Sequence, residues 1–302
     1  MLSLIAVLFV AAATCPLLVR RTGRKAFAVI AVAPAVGFGW IAAQAPTVYA
    51  GGHLSGVTTW VPSIGLELAF RMGVLQWVLA MIVLGIGAVV LFYCTWYFTD
   101  ESLGVPRFAG TLTAFVAAML GLVLSDDLLL TYVFWELTTV FSFLLVGHDA
   151  TRRAARQAAA QALVVTTLGG LAMLVGALMI GHASGPHRIS ETLPAPPAGT
   201  AVTVAVHLIL LGAISKSALV PFHFWLPAAM AAPTPVSAYL HAASMVKAGV
   251  FLVALLAPAF AGVPGWRPVL LVLGLATMLL GGYRALRQYD LKLLLAYGTV
   301  SQ

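Results

Sequence analysis

Long apolar runs separated by short polar loops set the pattern of this chain. A bilayer core is crossed by about 20 consecutive apolar residues in a helix. That length predicts helices over roughly 2–19, 26–45, 72–94, 108–125, 128–147, 158–181, 201–220, 236–258 and 267–284. A tenth apolar stretch begins at Leu291 and is still apolar at Gln302, so it reads as a helix cut short, with more protein expected beyond it. The pattern is that of an all-α polytopic membrane protein with about nine complete transmembrane helices and the start of a tenth. Residues 46–71 mix Gly, Pro, Thr and aromatics and fit a small hairpin. Residues 182–200, with His182, Pro186, His187 and Pro194, read as a flexible loop with no carboxylate or Cys pairing to make its histidines a metal site. The chain divides into helices 1–3 (1–100), helices 4–8 (101–260) and helix 9 with the start of helix 10 (261–302).

Composition narrows the class. The chain is 62% hydrophobic and 8% charged, against about 25% charged in a soluble domain. The net charge of +7 belongs to loops rather than to a nucleic-acid surface. Arg20, Arg21, Arg24, Lys25, Arg107, Arg152, Arg153, Arg156, Arg284, Arg287 and Lys292 fall on alternate loops; the opposite loops hold only Arg71, Arg188 and Arg267. Positive charge stays on the cytoplasmic side, which places the N-terminus outside. The first apolar run is followed, not preceded, by its basic cluster, so it is a retained helix and not a signal peptide. Cys15 and Cys94 sit inside apolar runs and read as core. The pattern holds no Gly-rich phosphate loop, no Cys/His spacing for a cofactor and no arrangement suited to covalent catalysis.

Ionisable residues inside the spans carry the candidate chemistry, because a charge in lipid is expensive and calls for a reason. Glu136 stands mid-run in LLLTYVFWELTTVFSFLLVG. It reads as a protonatable pathway residue, with a structural ion pair as the competing reading. Asp126 and Asp127 open the same helix, where capping accounts for at least one of them. Lys216 lies five residues before Pro221, and a proline interrupts a helix. A broken helix at membrane depth lines protein or a water-filled cavity; snorkelling to the interface is the other reading. Lys247 is twelfth in PVSAYLHAASMVKAGVFLVALLA, and His241 is six residues earlier, about 240° away around a helix. The two therefore face different neighbours, with Lys247 expected to turn toward the interior path; a packed neutral histidine is the alternative for His241. His223, at the break, reads either way, and His207 reads as packing. Among oxygens, only Glu136 and the hydroxyls of Thr138 and Thr139 stand where a sodium ion could use them.

The stretches SDDLLLTYVFWELTTVFSFLLVGH, KSALVPFHFWLPAAMAAPTPVSAYLHAASMVKAG and YDLKLLLAYGTVSQ resemble the antiporter-like subunits shared by respiratory complex I and the Mrp sodium/proton antiporters, the A subunits of the latter above all. The resemblance runs in order over about 100–302. It implies two inverted repeats, helices 4–8 and 9–13, with a glutamate on helix 5, a lysine on a broken helix 7 and a lysine or histidine on helix 8. Glu136, Lys216, Lys247 and His241 stand at those positions; the second repeat would lie beyond Gln302. The implied function is a proton-translocating subunit of a multi-subunit Na+/H+ antiporter, with partner subunits and no cofactor. A proton-pumping subunit of an NADH:quinone oxidoreductase or membrane-bound hydrogenase, and an accessory scaffold whose charges are structural pairs, are the alternatives. Glu136 is expected to lie nearer Lys216 than Lys247.

Overall fold

The computed structural model describes residues 1–302 except 62–65, 100, 101, 103, 186 and 187. The chain is mostly helical. In order it runs α1 (Leu2–Thr22), α2 (Ala26–Ile30), α3 (Val32–Ala42), α4 (Ala45–Tyr49), β1 (Leu54–Val61), β2 (Leu66–Met72), α5 (Val74–Tyr97), α6 (Val105–Leu124), α7 (Leu128–Val146), α8 (Arg153–Ser184), α9 (Ile189–Thr192), α10 (Thr200–Lys216), α11 (Trp225–Ala228), α12 (Thr234–Val236), α13 (Met245–Phe260), α14 (Trp266–Ala285) and α15 (Leu291–Ser301).

Among the described residues, seven helical stretches are long and apolar enough to cross a membrane. The first, Leu2–Ala42, continues over 41 residues and contains two of the expected helices. Their outer faces carry Val7, Val10, Leu168 and Leu279, each more than half exposed, as suits a surface solvated by acyl chains. α6 is the exception: nearly every residue of it is buried, and α1, α5 and α7 pack around it. α8 then packs on α7, and α10 on α8. Small residues let backbones meet where no hydrophobic drive pulls helices together. A methyl group on Gly176 of α8 would sit 2.4 Å from the Ala205 carbonyl of α10.

The hairpin expected at 46–71 is present: β1 and β2 pair antiparallel with Leu54 opposite Met72 and Thr59 opposite Glu67. The expected break after helix 7 is also present, and earlier than the apolar run suggests. α10 ends at Lys216, Ala218 takes a left-handed conformation (φ 56°), and the chain re-enters through the short turns Phe222–Phe224, α11 and Ala229–Ala231. The Val220 amide donates to the Thr277 hydroxyl at 2.9 Å, and the Trp225 indole donates to the Ser215 carbonyl at 2.9 Å, so freed backbone groups are met by neighbouring helices. Helix 8 is likewise not one regular helix: between α12 and α13 the residues Ser237–Ala243 form a π-helical turn.

Candidate functional site

Lys216 is fully buried at the C-terminal end of α10, where a cation meets the negative end of the helix dipole. Its Nζ crosses to α7 and donates to the Trp135 carbonyl at 2.7 Å, to Thr138 Oγ1 at 2.6 Å and to Thr139 Oγ1 at 3.1 Å. The same ammonium stands 4.4 Å from the centroid of the Trp135 ring. Snorkelling is therefore excluded for this lysine. The two threonine hydroxyls are also spent: each donates to the Trp135 carbonyl while accepting from Lys216. These two hydroxyls, among the few oxygens a sodium ion could have used, are taken up by the lysine.

Glu136 faces α8, not lipid. Its Oε1 is buried and finds no hydrogen-bond partner among the described residues. The space it fills is left by Gly170 of α8, where a methyl group would lie 2.0 Å from that oxygen. Lys216 is the cation whose field reaches Glu136, yet no ion pair joins them among the described residues. The ammonium is held by α7 groups next to Glu136 in sequence, while the Glu136 oxygen turns to Gly170 of α8.

His241 lies in the π-helical turn, 2% exposed, with neither ring nitrogen hydrogen-bonded among the described residues. Single π turns inside α-helices concentrate at functional positions. The His241 ring packs at 6.0 Å on Trp225, the residue whose indole reaches the Ser215 carbonyl beside Lys216. Its other side opens on a largely apolar cavity of about 400 Å³ shared with Lys292.

Lys247 departs from expectation. It is half-buried and lines a separate apolar groove of about 320 Å³ with Leu75, Leu79 and Ile82 of α5. The cause is Gly249: a methyl group there would fall 2.1 Å from Ser217 Oγ and 2.3 Å from the Ala213 carbonyl, so that side of α13 is pressed on α10. Lys247, two residues earlier, points about 200° away. His241 and Lys247 do face different neighbours, but Lys247 is turned off the line that joins Lys216 to His241.

The supporting residues separate. Asp127 caps α7, accepting from the Leu130 amide at 2.7 Å. Asp126 accepts from the amide and hydroxyl of Ser190 at 3.0 and 2.5 Å, tying α9 to the start of α7. Burial holds the Asp126 carboxyl above the usual carboxylate range, while the Ser190 hydrogen bonds and the charges of Arg71 and Arg188 pull the other way. Neither aspartate joins Glu136. His223 sits in the turn after the break with Nδ1 buried and unpartnered among the described residues. The histidine pair in 182–200 cannot be placed, as His187 lies outside the described residues.

Three contributors escape a reading by spacing: Gly170, Trp225 and Lys292. Lys292 counts as a loop charge in sequence, but its Nζ folds inward onto the carbonyls of Met230 and Ala232 at the end of the broken segment. It thereby borders both the His241 cavity and a larger one on the Arg-rich face. Its only local signal is Asp290, whose carboxylate accepts from the Lys292 and Leu293 amides and fixes the start of α15.

Over residues 125–302 the chain matches the family described as NADH:quinone oxidoreductase/Mrp antiporter, TM. The chain belongs to this family. A protein of Rhizobium meliloti (strain 1021), named as a component of a K(+)/H(+) antiporter, is 48% identical over 263 residues, covering 85% of this chain and 26% of that protein. A protein of Staphylococcus aureus (strain USA300 / TCH1516), named as antiporter subunit mnhA2, is 41% identical over 308 residues, covering 99% of this chain and 38% of that one. The chain thus spans roughly a third of the length of such relatives, between 26% and 38%. Among solved structures, a chain of the Mrp complex from Dietzia sp. DQ12-45-1b superposes with a TM-score of 0.91 at 40% identity, over 99% of this chain and 32% of that chain. A chain of the membrane-bound sulfane sulfur reductase, an archaeal respiratory membrane complex, gives 0.84 at 24% identity over 99% of this chain and 62% of that one, a likeness of fold alone.

Proposed function

We propose that this chain is a proton-translocating part of a multi-subunit monovalent cation/proton antiporter in a bacterial inner membrane, driven by the proton gradient. The names of its relatives support that class, and sodium is the cation proposed for exchange. We read the chain as nine spans and the start of a tenth, with helices 4–8 as one repeat, the Arg-rich loops in the cytoplasm and the N-terminus outside.

The observation that carries the reading is the placing of Lys216. Moving an ammonium out of water costs several kcal/mol. Three hydrogen bonds to a charged donor return about 1.5–3 kcal/mol each. Gain and cost are of one order, so the charge state of neighbouring Glu136 is enough to decide whether the ammonium stays. Glu136, with a buried and unpartnered oxygen, is placed to gain or lose a proton without breaking a bond to the protein. His241 then receives the proton beyond Trp225 and passes it into the cavity that Lys292 borders. Transport by an alternating line of such groups needs no cofactor and no covalent step. The same half-channel would serve a proton-pumping redox complex, a reading kept open by the family's joint description.

The test is cation-dependent proton movement in inverted membrane vesicles carrying K216A or E136Q. Each is expected to lower the rate at least tenfold with the protein still inserted. Wild-type rates in both would leave only a scaffold; dependence of the movement on NADH would move the chain to the redox class.

A further inference from the structure

The π-helical turn Ser237–Ala243 is tied to its neighbours on both sides of His241. Before the histidine, the Tyr239 hydroxyl donates to the Val83 carbonyl of α5 at 3.0 Å. Gly87, one turn along α5, makes room for it: a methyl group there would lie 3.3 Å from that hydroxyl and 3.2 Å from Val116. The Tyr239 ring is fully buried and meets Phe115 of α6 edge-on at 5.7 Å. After the histidine, the Ser244 hydroxyl donates back to the Tyr239 carbonyl at 2.8 Å, and the Ser244 amide donates to the Leu240 carbonyl. Ser244 has φ −132° and ψ −75°, away from helical values, so α13 starts afresh at Met245. There the Ser217 hydroxyl, next to Lys216, donates to the Val246 carbonyl at 2.9 Å.

These ties decide where the imidazole lies. A π turn is rare and holds one residue more than the α-helical turn it replaces, so it persists where side chains keep its register. A buried hydroxyl that loses its partner is costly, and Tyr239 therefore resists leaving Val83. Each residue of an α-helix turns the chain by about 100°. α13 is held on α10 by Ser217 and by the close approach of Gly249 to Ala213. Relaxing the turn by one residue would thus swing His241 by about that angle, off the Trp225 ring on which it packs at 6.0 Å.

We propose that Tyr239 is a positioning residue for His241. Its hydroxyl, seated on Val83, and the Ser244 hydroxyl, seated on the Tyr239 carbonyl, hold the π turn in register. They keep the imidazole against Trp225 and beside the cavity that Lys292 borders. Tyr239 moves no proton; it donates to a carbonyl and acts through the backbone. The positioning stands on this geometry, while its effect on transport rests on the role proposed above for His241.

The experiment has two readouts. One is cation-dependent proton movement in inverted membrane vesicles. The other is exchange of the imidazole C2 hydrogen for deuterium, read by mass spectrometry on the protein with whatever subunits co-purify. Y239F and S244A each delete one hydroxyl and nearly keep the apolar shape. Both are expected to speed exchange at His241 at least threefold, because the ring leaves Trp225, while His207 on α10 exchanges as in wild type. Both should lower proton movement at least fivefold. H241Q should lower it as well, and Y239F with H241Q should match H241Q within twofold, since Tyr239 acts through His241. Wild-type exchange at His241 in both variants, an equal rise at His207, or losses that multiply in the double variant overturn the proposal. Faster exchange in Y239F beside wild-type proton movement in H241Q upholds the positioning and removes His241 from the transport line.

Discussion

At the scale of single residues, the contact between Glu136 and Gly170 is the most exposed to test. A methyl group at Gly170 would lie 2.0 Å from the carboxyl oxygen, so the carboxyl must move or the helices must part. G170A is expected to lower transport in vesicles toward the level of E136Q, while G298A, with nothing within 4 Å of the added methyl, stays near wild type. T138V keeps the shape of the side chain and removes the 2.6 Å acceptor of Lys216. It should destabilise the protein by about 1.5–3 kcal/mol, the range for a hydrogen bond to a charged group, read as a lower Tm. Glu136, Lys216 and His241 were legible in sequence because an ionisable group in an apolar run stands out by itself. Gly170 was not, since its importance lies in what its missing side chain admits from another helix. Trp225 was hidden for a similar reason: an aromatic in an apolar run carries no mark of the carbonyl it will reach.

At the scale of elements, the start of α7 shows how unequal similar contacts can be. Asp127 caps the helix from a buried position, and D127A should cost about 1 kcal/mol. Arg188 pairs with Glu67 on β2 at 2.6 Å, but both side chains are about 30% exposed. Exposed pairs are worth about 0–1 kcal/mol, so R188Q should change Tm little. Asp126 gives a pH signature. Its folded-state carboxyl is raised by burial, so its contribution is full below the unfolded value of about 3.9 and is lost as pH rises through the folded value. D126N cannot ionise and should show a flatter stability across the acid range, measured as Tm against pH. The hairpin itself was legible from its turn-rich composition. The π turn around His241 was not, because one extra residue in a helical turn leaves the apolar pattern nearly intact.

At the scale of the whole molecule, helix positions followed from apolar length, while the direction each face takes did not. Lys247 is the case in point. Depth along the helix was readable, but the side it faces is fixed by Gly249 against α10. K247L should therefore lower cation-dependent proton movement less than threefold, far less than K216A; an equal loss would return Lys247 to the main line. A reporter fused after Arg156 should be active only on the cytoplasmic side. The seam between α8 and α10 has a wider consequence. Gly169, Gly176 and Gly212 bring the two helices close: Ser215 packs against Gly169, the Ala205 carbonyl and Ile209 against Gly176, and Met173 with the Gly169 carbonyl against Gly212. A joint of that kind cannot slide by part of a turn without collision, so the pair behaves as a stator. On the proposed transport reading, access to Lys216 would alternate through side-chain swings and the entry of water, in a frame that stays still. Spin labels at the two ends of α8 and α10 should report the same separation at high and low pH.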